Sequence, residues 1–132
     1  MYRLVYISTP KPDITPAEMT DIVRVGRRNN IKNGITGLLI QDRRRFLQYL
    51  EGEAEQVEET FARISADRRH SAIIQLKNGY IGRRQFPKWE MASKYVDGDA
   101  SLLSAVKELV SDCDRDVANE LMSFAEARDR AA

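Results

Sequence analysis

The chain has 132 residues, 42% hydrophobic and 31% charged, which is the composition of one ordinary globular domain. With 21 basic and 20 acidic residues the net charge is +1, so the sequence offers no electrostatic basis for binding nucleic acid or a membrane surface. The single cysteine, Cys113, excludes an internal disulfide, and the single histidine, His70, excludes a multi-histidine metal centre. No apolar run approaches the ~20 residues of a membrane span. We therefore expect a cytoplasmic protein without a bound metal.

The first two elements are a strand and a helix. Residues 2–8 carry apolar side chains on both faces, which predicts a central strand covered on both sides. A capping box of Thr15 and Glu18, with Pro16 at the first helical position, then predicts the start of a helix. The apolar stripe of this helix ends in Asn30, with Asn29 beside it.

Two amides occupy positions where core residues are expected. Asn30 either caps the C-terminus of the first helix or turns its amide toward the interior. Gln48 lies in the strand-like run 46–52, on the same face as Phe46 and Leu50. Because a buried amide without partners costs ~1–3 kcal/mol, a polar group is expected to meet Gln48.

The remaining elements define the fold class. They are predicted as strands at 35–41 and 44–51 joined around Asp42, a helix at 54–67, and strands at 72–82 and 89–95. The order β-α-β-β-α-β-β predicts an α+β, ferredoxin-like mixed sheet with both helices on one face. In that arrangement we expect the first and third strands to be central, parallel neighbours.

Amphipathic helical segments follow from residue 96 and need an apolar surface. The sheet face opposite the first two helices, with Val5, Ile7, Leu47 and Tyr49, can provide it. These helices could instead bind a partner or a second copy of the chain. We expect residues 1–95 to form one domain and residues 96–132 to form a helical extension of the same compact unit.

Adjacent first and third strands would bring Tyr6 and Gln48 together beneath Asn30. A phenol and two amides that converge between two helices suit a flat heteroaromatic ligand with polar edges. A Tyr-Gln-Asn network that satisfies itself is the alternative. On the second helix, Arg63 and Asp67 are four residues apart and can pair, although an exposed pair there would contribute only ~0.3–0.5 kcal/mol.

Five separated segments carry a distinctive pattern. They are LVYIS at 4–8, NNIKNGITGLL at 29–39, FLQYLEG at 46–52, DRRH at 67–70 and WEM at 89–91. In order and spacing they resemble the BLUF family, the blue-light sensors using flavin. The resemblance covers residues 2–93 and implies noncovalent binding of FAD between the two helices, with FMN or riboflavin as possible substitutes.

The resemblance also implies roles for individual residues. Tyr6 matches the photoactive tyrosine and Gln48 the switching glutamine. Trp89 and Met91 match the strand that responds to light, and either of them could lie beside Gln48. The implied flavin contacts are Asn29 and Asn30, Ile22 and Ile64 against the ring, Arg63 and Asp67 at its polar edge and ribityl side, and Arg69 and His70 near the ribityl chain or phosphates.

The function implied by the resemblance is blue-light reception without enzymatic turnover. Light would drive electron and proton transfer from Tyr6 through Gln48 and rearrange the hydrogen bonds around the flavin. Because about 37 residues follow the matched region, too few for a fused effector, we expect output through a downstream protein or a homo-oligomer. A flavin reductase-type enzyme and a flavin-free interaction module are the alternatives, and no dinucleotide-binding fingerprint favours the reductase.

Overall fold

A five-stranded mixed sheet forms the centre of the computed structural model, which describes residues 1–42, 44–96 and 101–131. The elements are β1 (Tyr2–Pro10), α1 (Pro16–Asn33), β2 (Thr36–Gln41), β3 (Phe46–Gly52), α2 (Ala54–Ser65), β4 (His70–Tyr80), β5 (Ala92–Tyr95), α3 (Leu102–Leu109) and α4 (Arg115–Ala131). This order confirms the predicted α+β class. Arg43, in the predicted hairpin turn, lies outside the described residues, as does the segment 97–100 after the predicted domain boundary.

The strand order is β4-β1-β3-β2-β5, with β1 and β3 central as predicted. The predicted parallel pairing of β1 and β3 is wrong, because the two strands run antiparallel. The α1 crossover returns the chain so that β2 runs in the same direction as β1, and the hairpin then reverses β3 between them. In this register Tyr6 lies directly opposite Gln48, and β5 runs parallel to β2 at the sheet edge.

Both ends of α1 follow from local sequence. The Thr15 hydroxyl accepts from the Glu18 backbone N–H at 3.1 Å, and the Glu18 carboxylate accepts from the Thr15 N–H at 3.1 Å. Gly34 ends the helix in the left-handed region, with φ of 67°. Asn30 therefore lies inside α1, and it is not the C-terminal cap that its position also allowed.

Two hydrophobic layers cover the sheet. On one face Leu4, Tyr6 and Leu50 pack with Val57 of α2. The other face is covered by the C-terminal helices, as one of the sequence-based alternatives predicted. The hydrophobic layer there consists of Val5, Leu38, Ile40, Leu47 and Tyr49 of the sheet with Leu102, Val106, Val117 and Leu121 of α3 and α4. Within the described ranges, no helix combines the length and apolar character needed to cross a membrane.

Candidate functional site

A cavity of about 200 Å³ lies on the sheet face covered by α1 and α2. All ten residues predicted to contact a cofactor line it: Tyr6, Ile22, Asn29, Asn30, Gln48, Arg63, Ile64, Asp67, Arg69 and His70. Ile22 from α1 and Ile64 from α2 supply apolar wall on the two helices. The fold thus brings the predicted set together, while the role of each residue toward a flavin stays a prediction.

A hydrogen-bonded chain runs along the sheet side of the cavity. The Tyr6 hydroxyl donates to Gln48 Oε1, and Gln48 Nε2 donates to Met91 Sδ at 3.3 Å. All three side chains are buried. Burial, and secondarily the Asp67 carboxylate, raise the pKa of Tyr6 well above its usual range. Tyr6 is therefore a neutral phenol that donates its proton toward the amide.

Met91, and not Trp89, lies beside Gln48. Met91 is 3% exposed and lines the cavity, and its methyl group packs where a Cβ on Gly26 would come within 2.7 Å. Trp89 is 37% exposed and stacks on Phe86, with ring centroids 5.6 Å apart and planes at 18°. The absence of a side chain at position 26 lets Met91 reach the amide.

Asn30 connects α1 to the segment before β5. Its side chain is 2% exposed, and Nδ2 donates to the backbone carbonyl of Glu90 at 2.6 Å. The neighbouring Asn29 also lines the cavity. Asn30 does not bond to Tyr6 or Gln48 among the described contacts, so the alternative of a Tyr-Gln-Asn network that satisfies itself is met only in part.

The predicted pair of Arg63 and Asp67 does not form. Helix α2 ends at Ser65, so Asp67 no longer follows the helical spacing from Arg63. Instead Asp67 pairs with Arg69 at 2.7 Å, and Arg69 also contacts Asp21 at 3.1 Å. The Arg69 guanidinium lowers the pKa of Asp67. Arg63 is exposed at the cavity rim and has no ion-pair partner among the residues that the structure describes.

His70 is held by bonds from both ring nitrogens. Nε2 lies 2.6 Å from the Ile64 carbonyl oxygen and Nδ1 lies 2.7 Å from Ser8 Oγ. Because a carbonyl only accepts, Nε2 donates to Ile64. The imidazole ring also contacts the rings of Tyr6 and Phe46, at centroid distances of 6.3 and 6.0 Å.

Thr60 is a cavity residue that the sequence reasoning missed. It is 3% exposed, lines the cavity from α2, and its hydroxyl has no hydrogen-bond partner among the described residues. Buried polar atoms in native proteins are nearly always paired, so this hydroxyl favours a polar ligand in the cavity. Its place three residues after Val57 and four before Ile64, on the apolar stripe, is the sequence signal that could have identified it.

The residues fit a flavin better than a metal. Apolar walls and a few convergent amide and hydroxyl groups are the features of a site for a flat, polar-edged ring. In the part of the chain that is described, no group of three or more His, Cys, Asp and Glu side chains is placed to hold a metal ion.

Comparison with known proteins gives a consistent result. The family model described as sensors of blue-light using FAD matches residues 1–92. The photoactivated adenylate cyclase subunit alpha of Euglena gracilis is 35% identical over 97 residues, which are 72% of this chain and 10% of that protein. The chain thus spans about a tenth of the length of such curated relatives.

Two solved structures share the architecture. The dark-state structure of BlrB, a BLUF protein, has a TM-score of 0.75 and 30% identity, and the match covers 96% of each chain. The structure of Klebsiella pneumoniae BlrP1 with FMN and cyclic diGMP has a TM-score of 0.79 and 28% identity, over 95% of this chain and 34% of that one. The likeness therefore extends beyond the matched family region to the C-terminal helices.

Proposed function

Since the chain belongs to the BLUF family, the sensors of blue light that use a flavin, we propose that its light response depends on Tyr6 and Gln48. The observation that carries this proposal is the chain from the Tyr6 hydroxyl through the Gln48 amide to Met91 Sδ, at the wall of the α1–α2 cavity. Ten predicted contact residues line the same cavity.

In this proposal Tyr6 donates the electron and the proton, and Gln48 accepts the proton. When bound, a flavin that has absorbed blue light supplies a strong one-electron oxidant. Tyr6 is a neutral phenol whose proton already lies on its bond to Gln48 Oε1, so loss of an electron and transfer of that proton to Oε1 need no rearrangement.

The change in hydrogen bonding that remains after light absorption lies in the side-chain amide of Gln48. Its amide has one accepting and one donating end, and in the structure the accepting end faces Tyr6 and the donating end faces Met91. The electron and a proton then return to Tyr6 and restore the neutral phenol, while rotation or tautomerisation of the amide exchanges this pattern. Met91 then loses its donor, and the change passes into β5 without net chemistry at the protein.

We propose FAD as the cofactor of this chain, with FMN and riboflavin as substitutes. The family description names FAD, and one similar structure holds FMN. Arg63, exposed at the rim and without an ion-pair partner among the described side chains, is a suitable contact for a phosphate. Asn30 and Thr60 are the candidates for the polar edge of the ring, and Ile22 and Ile64 for its faces.

We further propose a cytoplasmic sensor without enzymatic turnover, whose output goes to a downstream protein or through a homo-oligomer. The one cysteine fits a reducing compartment. Residues 1–95 would form the sensor and residues 96–132 an extension that packs on the sheet. The cyclase activity in the name of the Euglena relative belongs to a protein of which the matched residues make up 10%, and it is not assigned to this chain.

Absorption spectra in darkness and under blue light test the proposal. The purified protein is expected to be yellow, with a flavin band that shifts to the red on illumination and returns in the dark. Chromatography of the cofactor released on denaturation identifies FAD, FMN or riboflavin. Colourless protein that releases no flavin supports the interaction module instead, and NADH consumption by the flavin-loaded protein supports the reductase.

A further inference from the structure

A second depression lies between α1 and the β5 edge, outside the flavin cavity. It has a volume of about 1230 Å³, and we call it the α1–β5 groove. Its lining includes Met19, Val23, Arg27, Arg28, Ile31, Gln41 and Tyr95. We propose that this groove docks an acidic, amphipathic segment of a partner protein, in a manner that depends on the state of Gln48. The light dependence rests on the proposed function, whereas the docking itself does not.

Apolar side chains give the groove its hydrophobic part. Met19 and Val23 of α1 are half-buried along it. At its rim Ile31 is 65% exposed and Tyr95 is 43% exposed, and both are among the few large hydrophobic side chains left in solvent. An apolar patch rimmed by polar groups is typical of a protein–protein contact.

Gln41 supplies an independent sign of a ligand. It is 4% exposed, it lines the groove, and within the described part of the chain its Nε2 has no hydrogen-bond partner. A buried donor without an acceptor is costly. Because Nε2 lies beneath the groove surface, a carbonyl or carboxylate oxygen of a docked segment would satisfy it once the side chain turns outward.

The charged groups of the groove are cations. Arg27 donates only to neutral groups, the Met91 carbonyl at 2.9 Å and Ser93 Oγ at 3.3 Å. Arg28 is exposed and has no ion-pair partner among the described side chains, whereas Arg24 pairs with Asp21. Two uncompensated positive charges beside an unpaired amide donor complement an acceptor-rich, acidic partner.

Arg27 also joins the groove to the light-sensing site. Its Nε bonds to the backbone carbonyl of Met91, and Sδ of the same residue accepts from Gln48 Nε2. When Gln48 exchanges its donating and accepting ends, Met91 loses its hydrogen-bond donor on the cavity side. Because the Met91 carbonyl holds Arg27, any resulting shift of Met91 moves the Arg27 guanidinium in the groove. The affinity of the groove is therefore expected to differ between dark and illuminated protein.

The test uses the flavin-loaded full chain and a synthetic helical peptide with leucine on one face and glutamate on the other. Its counterpart carries lysine in place of each glutamate. Nuclear magnetic resonance titration in darkness should show saturable shifts of the Gln41 side-chain amide and of Ile31 with the glutamate peptide only. Illumination should change the affinity.

Matched variants separate the groove from general surface effects. Ile31→Glu is expected to weaken binding about tenfold or more because it removes an apolar contact that docking would bury. Arg28→Glu is expected to weaken binding about threefold because it reverses one exposed charge. The controls are Ile74→Glu and Lys77→Glu on β4 at the opposite sheet edge, which should bind as the wild type does.

Each contrary outcome has a distinct meaning. Absence of saturable binding, or equal binding of the lysine peptide, overturns docking of an acidic segment even when the light-induced spectral shift is normal. Self-association that Ile31→Glu abolishes would make a second copy the occupant and overturn the partner proposed here. Equal affinity in dark and light, with a normal spectral shift, overturns the coupling through Arg27. Absence of a flavin band contradicts the proposed function and leaves the dark titration interpretable.

Discussion

The carboxylate of Glu51 accepts a hydrogen bond from the backbone N–H of Phe86 at 2.8 Å. Glu51 is fully buried, and it also accepts from the Gln85 N–H at 2.7 Å, the Thr36 hydroxyl at 2.9 Å and the Tyr49 hydroxyl at 3.2 Å. These four donors compensate for the burial of a carboxylate. Glu51 thereby fixes to β3 the segment that leads from β4 toward β5.

Glu51→Gln is expected to destabilise the protein by about 2 kcal/mol, because one acceptor is replaced by an NH₂ group that faces donors. Urea unfolding measures the change. The control is Glu53→Gln, two residues later, where the side chain is exposed and makes no capping bond. Equal stability of both variants would show that the four bonds to Glu51 contribute little.

Tyr6→Phe and Gln48→Leu are each expected to retain flavin and lose the normal light-induced spectral shift. The first removes the O–H donor and the second removes the amide whose two ends are exchanged. Difference spectra before and after blue light measure the loss, and flavin content per chain is the control. A wild-type shift in both variants would exclude the proposed route and leave the flavin site intact.

Met91→Leu is expected to change the dark-recovery rate more than Trp89→Phe does. Leucine removes the sulfur acceptor for Gln48 Nε2, whereas Trp89 stacks on Phe86 away from the cavity. A weak bond of about 0.7 kcal/mol corresponds to about threefold in rate. Recovery followed at the flavin band provides the measurement, and a larger effect of Trp89→Phe would place the tryptophan beside the amide during recovery.

The Asp67–Arg69 pair predicts an acid-dependent contribution to stability. Arg69 lowers the pKa of Asp67 in the folded protein. The ion pair therefore stabilises the folded state above the unfolded pKa of about 4, and this stabilisation is lost as the pH falls through the folded pKa. The pair is about a third exposed, so its contribution is about 1 kcal/mol or less.

Asp67→Asn should therefore be less stable than the wild type at neutral pH and approach it at about pH 3. Unfolding curves at the two pH values give the comparison. Asp13→Asn, which changes an exposed turn residue, controls for loss of one surface charge. A destabilisation by Asp67→Asn that is the same at both pH values would contradict the ionic origin.

Local signals predicted some elements well. Thr15, Pro16 and Glu18 predicted the start of α1, because a capping box depends only on neighbouring residues. The expected parallel pairing of β1 and β3 was wrong, although the predicted crossover and hairpin together already reverse β3 relative to β1. The sequence suggested an Arg63–Asp67 pair that does not form, because the C-terminus of α2 at Ser65 carried no clear stop signal.

In the candidate site, too, some residues could be recognised from local sequence and others could not. Tyr6, Asn30 and Gln48 stood out because polar residues interrupted apolar faces. Thr60 also lies on an apolar stripe, but a threonine there interrupts the pattern too little to be noticed, and the burial of Gln41 depends on tertiary packing that residue spacing does not express. The choice of Met91 over Trp89 likewise required the position of Gly26 on a different element.

All seven residues of β3 are buried, and they alternate between two environments. Gln48 faces the cavity between α1 and α2, whereas its neighbours Leu47 and Tyr49 belong to the layer beneath α3 and α4. Close-packed interiors transmit small displacements with little loss. A backbone shift at Gln48 would therefore also displace Leu47 and Tyr49, on which the C-terminal helices pack. A change in the flavin cavity on one face of the sheet would thus alter the surface on the other face.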